Sequence, residues 1–293
     1  MDNHTLLLID GFNLLSRGYF ATSYGRSDDQ LSKTKDGVYT NALRVFIPKL
    51  FSLIREHEVS HVAITWDVKR EETDRRIKYD FYKATRGELP TPLIEQFLTL
   101  KTVLEEIGIA QLEMSPYEAD DLIGTLSNKW SHSIQNKCYI YSNDRDLLQL
   151  LNEHTSQIIA QKTGEIIYSI EHFNNDYGIH PKQWVDVKAL LGDSSDNIPG
   201  CPGVGEKSAI PLIQQYQSVE ELYENMENLD PKFNRYKKKL IAGKDSTIIS
   251  KELSAIMIDI PHFEDYTFED LKLSINEDNL TNKLQELEIR IRR

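Results

Sequence analysis

Three short, mostly apolar runs in the first half of the chain each lead into an aspartate. Residues 6–9 precede Asp10, residues 62–66 precede Asp67, and residues 139–143 precede Asp144. The runs are too short for helices, and segments with helical spacing separate them, which is typical of buried parallel strands. Because the carboxyl ends of parallel strands meet at one edge of a sheet, the pattern predicts an α/β fold that gathers these aspartates there.

The alternation of elements changes near residue 175. Before it, strand-like runs alternate with helical segments, which we predict at residues 37–56, 91–107, 116–130 and 146–151. After it, we predict helices joined by glycine- and proline-containing loops, at residues 184–191, 206–216, 219–226 and 244–256. The polar segment 23–37 is predicted to be a loop. We therefore predict two regions, 1–175 and 176–293.

Short clusters of carboxylates lie beside the predicted strand ends and helix starts. Their members are Asp10, Asp67, Glu118, Asp120, Asp121, Asp144, Asp146, Asp193 and Asp196. Acids gathered at one sheet edge repel each other unless cations neutralise them, and oxygen ligands with retained waters suit Mg²⁺ or Mn²⁺. Two such ions can stabilise the attacking and leaving oxygens in phosphodiester hydrolysis. The clusters contain no histidine or cysteine, which argues against zinc.

Three of the acidic clusters have a structural alternative when they are taken alone. Residues 115–118 match a capping box, so Glu118, Asp120 and Asp121 could complement a helix dipole. Residues 144–146 could cap a helix, and residues 192–197 could form an Asx-rich turn. Glu118 and Asp121 share a helix face while Asp120 points elsewhere, so the three acids could contact more than one ion. Together the clusters favour a metal site.

Two basic segments are candidates for phosphate binding. The net charge of −12 argues against a polyanionic partner, but the clustered carboxylates supply most of it, so it decides little. The first segment, 69–86, also carries acids, and a solvated helix face explains it equally well. The second contains Lys237, Lys238 and Lys239 without intervening acids, and there we favour phosphate contact.

A glycine-rich turn places Gly203 and Gly205 just before Lys207. A Walker loop needs lysine where Glu206 stands, and the dinucleotide fingerprint needs glycine or alanine where Ser208 stands. What remains is a helix–hairpin–helix whose backbone N–H groups and helix N-terminus can meet a phosphate, with a plain structural turn as the alternative.

Seven motifs, in this order, resemble those of the bacterial 5′-3′ exonucleases. That family includes the N-terminal nuclease domain of DNA polymerase I and the phage flap endonucleases. The motifs are Leu8-Ile9-Asp10-Gly11, Trp66-Asp67, Tyr82-Lys83-Ala84-Thr85-Arg86, Tyr117-Glu118-Ala119-Asp120-Asp121, Ser142-Asn143-Asp144-Arg145-Asp146, Gly192-Asp193-Ser194-Ser195-Asp196-Asn197 and Gly203-Val204-Gly205-Glu206-Lys207. The likeness spans residue 6 to the C-terminus.

The resemblance implies a PIN-like, Rossmann-type parallel sheet with helices on both faces, followed by a helix-three-turn-helix module that binds duplex DNA. It also implies a helical arch at about residues 69–105, in which Lys83 and Arg86 stabilise charge on the scissile phosphate. A K⁺ ion is implied at the backbone of residues 200–205. We place DNA contacts at Tyr82, Gly200, Gly203, Gly205, Lys207, Ser208, Lys237, Lys238 and Lys239.

We therefore expect a stand-alone 5′-3′ exonuclease or flap endonuclease that uses two Mg²⁺ or Mn²⁺ ions. Its expected partners are DNA junctions such as 5′ flaps and nicks, with RNA-primed DNA as a further substrate. Cys138 and Cys201 give no disulfide framework, and no signal or membrane segment is visible, so we expect a cytoplasmic monomer. A PIN-type ribonuclease would need the same acids without a duplex-binding hairpin. A non-catalytic junction-binding protein would be expected to have lost carboxylates.

Overall fold

A six-stranded sheet forms the centre of the computed structural model, which describes residues 4–263 and 266–291. The strands are β1 Leu6–Asp10, β2 His61–Thr65, β3 Gln111–Leu112, β4 Cys138–Tyr141, β5 Thr155–Gln161 and β6 Gly164–Tyr168. Their order is β3-β2-β1-β4-β5-β6, and every neighbouring pair is parallel except β5 and β6. The predicted α/β class with a largely parallel sheet is confirmed.

Helices alternate with the strands in the first half of the chain and dominate the second half. The first set is α1 Gly11–Ser23, α2 Leu43–Glu56, α3 Asp74–Lys78, α4 Thr91–Glu106 and α5 Ala119–Ser133. The second set is α6 Ile170–Tyr177, α7 Trp184–Leu191, α8 Glu206–Tyr216, α9 Val219–Glu224, α10 Asn234–Ala242, α11 Lys244–Ser254 and α12 Glu277–Glu286. Within the described residues, none of these helices is both long and apolar enough to cross a bilayer.

The central strand β1 is continuously apolar because helices cover both faces of the sheet. Successive side chains of a strand point to opposite faces. Leu7 and Ile9 accordingly pack with α1, α2 and α4, whereas Leu6 and Leu8 pack with α5. All four are fully buried. This burial fixes the register of β1 and therefore the position of Asp10 at its carboxyl end.

The helical region has a core of its own. Trp184 and Val187 of α7 pack with Leu212 of α8 and Leu222 of α9 in one buried cluster. The helices predicted at 184–191 and 206–216 match α7 and α8, and the two predicted after them end two residues early, at Glu224 and Ser254.

The chain after α11 returns to the sheet region. Ile260 and Phe263 join the cluster beneath α5, and Leu280 and Leu287 join the cluster that includes α4. The division at residue 175 stays a prediction, but side chains from residues 256–263 and 266–291 pack against the region that precedes it.

Several predicted boundaries were wrong. The helix predicted from residue 37 begins at Leu43, and the segment predicted at 146–151 is a 3₁₀ helix, Asp146–Leu150. The acid-bearing helix α5 begins at Ala119 instead of Pro116, because the reciprocal capping box is formed by Glu118 and Asp121. Glu118 is therefore the N-cap residue.

Candidate active site

Seven carboxylates line one cavity of about 210 Å³ at the carboxyl edge of the sheet: Asp10, Asp67, Glu118, Asp120, Asp144, Asp146 and Asp196. Asp10 ends β1, Asp67 and Asp144 follow β2 and β4, and Asp120 lies in the first turn of α5. The parallel sheet thus brings together residues that lie more than a hundred positions apart, as the strand pattern predicted.

Hydrogen bonds to the surrounding backbone orient the cavity aspartates. Asp10 Oδ1 accepts from the backbone N–H of Asn13 at 3.0 Å, and its Oδ2 accepts from Ser142 Oγ at 3.1 Å. Asp67 Oδ1 accepts from the N–H of Ala119 at 2.8 Å, which joins the end of β2 to the start of α5. The acids are therefore held in place by the fold itself.

Burial and neighbouring charges raise the pKa values of Asp10, Asp67 and Asp120. Burial and then the charge of Asp67 raise the pKa of Asp10 to about 7. Burial, followed by the charges of Asp144 and Asp10, raises the pKa of the half-buried Asp120 well above its usual value. Desolvation by the surrounding protein also raises the pKa of Asp67, although part of its surface is exposed to solvent. This charge repulsion is the kind that a bound cation relieves.

The donor set suits a hard divalent cation. Carboxylate oxygens line the cavity, and no histidine or cysteine does. Among residues 4–263 and 266–291, no three or more acidic, histidine or cysteine side chains are grouped so that they could hold a metal ion as they stand. Mg²⁺ usually keeps several water ligands and needs few protein ligands, so the residues fit such an ion.

Glu118 lies between three donors and is not free in this structure. Lys83 Nζ is 2.6 Å from its Oε1, and Arg75 Nη1 and the Tyr82 hydroxyl donate to its Oε2 at 2.9 and 3.0 Å. Burial alone would raise the pKa of Glu118, but Lys83 and Arg75 lower it below its usual value. Glu118 therefore stays ionised.

Lys188, which was not among the predicted site residues, forms ion pairs with two of the predicted acids. Its Nζ lies 2.7 Å from Asp146 Oδ1 and 3.4 Å from Asp193 Oδ2. Burial and the charge of Asp144 raise the pKa of Asp146 to about 6 despite this lysine. Asp193 also accepts from the N–H and hydroxyl of Ser195, and its pKa is lowered even though burial opposes that. The sequence feature that could have identified Lys188 is its position in the predicted helix 184–191, five residues before Asp193.

Asp121 does not line the cavity, unlike its neighbour Asp120. Arg75 contacts both of its carboxylate oxygens, Nη1 at 2.7 Å and Nη2 at 2.8 Å. Asp121 Oδ1 also accepts from the N–H of Met257 at 2.9 Å.

The segment 69–90 lines part of the cavity and brings three cations to it, Arg75, Lys83 and Arg86. Lys83 contacts Glu118, and Arg86 Nε is 3.1 Å from Asp196 Oδ1. α3 is the α-helix of this segment, whereas α4 is packed into the core through Leu93, Leu100 and Leu104. Tyr82 is 3% exposed, so its predicted DNA contact would require this segment to move.

The glycine-rich turn joins α7 to α8. Gly200 is buried with φ +66°, and a Cβ there would lie 2.5 Å from the backbone N of Gly192, so only glycine fits. Gly203, Gly205 and Lys207 are exposed. Ser208 is buried, and its hydroxyl accepts from the N–H of Gly205 at 3.2 Å.

The second basic segment lies on α10, next to this turn. Lys239 Nζ donates to the carbonyl oxygen of Gly203 at 3.1 Å, and Lys238 is exposed. Lys237 is half-buried and lies 3.9 Å from a carboxylate oxygen of Glu227. The turn and α10 therefore present one surface to solvent.

Comparison with known proteins matches the two halves of this architecture in order. A family model described as the N-terminal resolvase-like domain of 5′-3′ exonuclease matches residues 5–178, and one described as its C-terminal SAM fold matches residues 179–279. A 5′-3′ exonuclease of Halalkalibacterium halodurans is 59% identical over 100% of this chain and 96% of its own. Bacillus subtilis DNA polymerase I is 39% identical over 87% of this chain, but the match spans only 28% of that larger protein.

Solved structures share the fold at low sequence identity. The T5 5′-exonuclease with bound zinc is 21% identical and covers 87% of this chain and 90% of its own, with a TM-score of 0.67. The bacteriophage T5 flap endonuclease in a pseudo-enzyme-product complex with DNA and metal ions is 18% identical and covers 97% and 100%, with a TM-score of 0.62.

A parallel α/β sheet with an acidic cavity, followed by a helical region, is thus the architecture of a nuclease. This chain belongs to the 5′-3′ exonuclease family. It is a 5′-3′ exonuclease.

Proposed function

We propose that this 5′-3′ exonuclease hydrolyses DNA phosphodiesters at single-strand/duplex junctions, including 5′ flaps and nicks, with Mg²⁺ or Mn²⁺. The observation that carries the proposal is the cavity, which seven carboxylates line together with Lys83 and Arg86. The T5 flap endonuclease complex with DNA and metal ions supports the same chemistry.

In this proposal Asp10, Asp67, Asp120 and Asp144 hold the divalent ions. Further candidate metal ligands nearby are Glu118, Asp146, Asp193 and Asp196. Asp121 is not one of them, because both of its carboxylate oxygens are bound by Arg75. Bound ions would polarise the phosphodiester and lower the pKa of the attacking water.

Lys83 and Arg86 stabilise the negative charge that develops on the scissile phosphate. Burial alone would lower the pKa of Lys83, but Glu118 and its other anionic neighbours raise it above its usual value. Lys83 is therefore a permanent ammonium group and acts as an electrostatic donor, not as a general base. Its present partner Glu118 holds it at the cavity wall, where a phosphate can replace that contact.

Duplex binding is assigned to the turn and α10. The exposed backbone of Gly203 and Gly205 leads into the N-terminus of α8, where N–H groups and the helix dipole favour a phosphate. Lys207, Lys238 and Lys239 add positive charge to the same region. The K⁺ site at the backbone of residues 200–205 is part of this proposal. Such a surface favours duplex DNA over the single-stranded substrate of a PIN-type ribonuclease.

The test uses 5′-labelled flap, nicked, blunt and RNA-primed duplexes with Mg²⁺, Mn²⁺ or Zn²⁺, followed by sizing of the products. We expect cuts at the junction of the flap and shortening of the nicked strand from its 5′ end. Asp144→Asn should abolish cleavage while junction binding is kept, because an amide preserves shape but removes charge needed for the cation. Near-normal turnover of this variant at saturating Mg²⁺ would refute the metal assignment.

A further inference from the structure

Arg75 forms a two-pronged ion pair at the base of the segment 69–90, which lines part of the cavity. It lies in α3, its side chain is 16% exposed, and its two terminal nitrogens contact the two oxygens of Asp121 at 2.7 and 2.8 Å. A guanidinium matches a carboxylate in this way with fixed geometry, which a lysine cannot reproduce.

The pair joins three parts of the chain. Arg75 Nη2 also donates to the carbonyl oxygen of Ala255 at 2.7 Å, and Met257 donates its N–H to Asp121 Oδ1 at 2.9 Å. Asp121 belongs to the first turn of α5, beside the cavity, and Ala255 directly follows α11 of the helical region. The base of the segment 69–90 is thus tied to both regions.

Further contacts connect this base to Lys83. Arg76, the next residue of α3, donates through Nη1 to the carbonyl oxygen of Tyr82 at 3.1 Å. Lys83 has a left-handed backbone with φ +54°, a conformation that non-glycine residues keep only where the surroundings hold it. Its own N–H donates to the carbonyl oxygen of Asp196 at 2.9 Å. The turn that presents Lys83 is therefore fixed from both sides.

We propose that Arg75 and Asp121 are positioning residues for cleavage and that Asp121 holds no metal ion. Their ion pair fixes α3 relative to α5, so that Lys83 faces the cavity. The proposal rests on the electrostatic role assigned to Lys83 above.

The first test is a double-mutant cycle with Asp121→Asn, Lys83→Ala and the double variant, measured as single-turnover flap cleavage at saturating enzyme and Mg²⁺. A misplacement of about 1 Å can reduce a rate on the order of a hundredfold, and we expect a loss of that size from Asp121→Asn. Because Asp121 acts through the position of Lys83, the double variant should be no slower than Lys83→Ala alone.

The second test is a Mg²⁺ titration by calorimetry without DNA, which does not depend on activity. Asp121→Asn should bind Mg²⁺ with the affinity and stoichiometry of the wild type. Arg75→Lys keeps the positive charge but cannot contact both carboxylate oxygens of Asp121, so it should show the same slow cleavage with unchanged Mg²⁺ binding. This variant replaces Asp121→Asn in the test if Asp121→Asn fails to fold. Glu165→Gln on β6, which removes a partner of Lys49 and Tyr141 away from the cavity, is the control for general destabilisation.

The outcomes distinguish the positioning role of Arg75 and Asp121 from the electrostatic role of Lys83. Weakened Mg²⁺ binding in Asp121→Asn, or multiplicative losses in the double variant, would overturn the positioning role. So would normal cleavage by Asp121→Asn in a background where Lys83→Ala is slow. Normal cleavage by Lys83→Ala would instead refute the role of Lys83 itself, and the positioning proposal with it.

Discussion

Asp10→Asn should stabilise the metal-free protein at neutral and alkaline pH, although it removes a proposed metal ligand. Asp10 is 8% exposed and faces Asp67 and Asp144. Burial, and then the charges of these neighbours, raise its pKa from 3.8 to about 7. The ionised form of Asp10 is therefore unfavourable in the folded protein when no cation is bound.

The direction in which stability changes with pH follows from proton binding. A carboxyl whose pKa is raised on folding binds more protons in the native state than in the unfolded state, so stability falls as pH rises. The contribution of Asp10 is fully present below the unfolded pKa of 3.8 and is lost as pH rises through about 7. One pKa unit corresponds to ~1.4 kcal/mol, so the loss approaches about 4 kcal/mol above that pH.

An asparagine avoids this loss but keeps most of the local hydrogen bonding. Its Oδ1 can still accept from the N–H of Asn13, whereas the bond from Ser142 Oγ must be rearranged, at a cost of about 1 kcal/mol. We expect a net gain of about 3 kcal/mol at pH 8.5, equivalent to roughly 6 °C in Tm. At pH 4.5 most of the gain should have disappeared.

The assay is thermal or urea unfolding of both proteins between pH 4.5 and 8.5 in EDTA, repeated with Mg²⁺. In Mg²⁺ the order should reverse at high pH, because the wild type gains stability from the ion and the variant binds it less well. Asp36→Asn, at an exposed position, is the control. A difference that does not vary with pH, or a less stable Asp10→Asn at pH 8.5 in EDTA, would contradict the reasoning.

Three further predictions address separate parts of the protein. Lys83→Ala should lower single-turnover cleavage on the order of a hundredfold and change affinity only a few fold; the reverse pattern would make Lys83 a binding residue. Lys207→Ala should weaken binding to all DNA sequences alike and reduce its salt dependence, and an unchanged salt slope would return the turn to a structural role. Gly200→Ala should destabilise the protein more than Gly25→Ala in urea unfolding, because both glycines have positive φ but only Gly200 meets backbone within 3 Å; equal costs would contradict this.

The sequence was sufficient to predict the strands that carry the site. β1 was identifiable because both of its faces are buried, which leaves an unbroken apolar run, and the aspartate after it marked the sheet edge. The helices α7 and α8 were identifiable from their spacing and from the glycines between them.

The β5–β6 hairpin was missed because its strands lack such a run. Thr155 and Gln157 are fully buried polar residues of β5, and the amide nitrogen of Gln157 donates to the carbonyl oxygens of Ser142 and Asp144. Those partners lie more than ten residues away, so polarity in the sequence indicated solvent where the fold supplies hydrogen bonds.

The roles of Asp120 and Asp121 depend on tertiary contacts in the same way. They are neighbours in one helical turn, and about 100° of rotation separates them. Burial and then the charges of other carboxylates raise the pKa of Asp120, whereas Asp121 faces a guanidinium from a segment 46 residues earlier. Helical periodicity predicted that these side chains diverge, but not what either would meet. A run of acids therefore identifies a site more reliably than it identifies the ligands within it, because each carboxylate takes its function from the charge that the fold places opposite it.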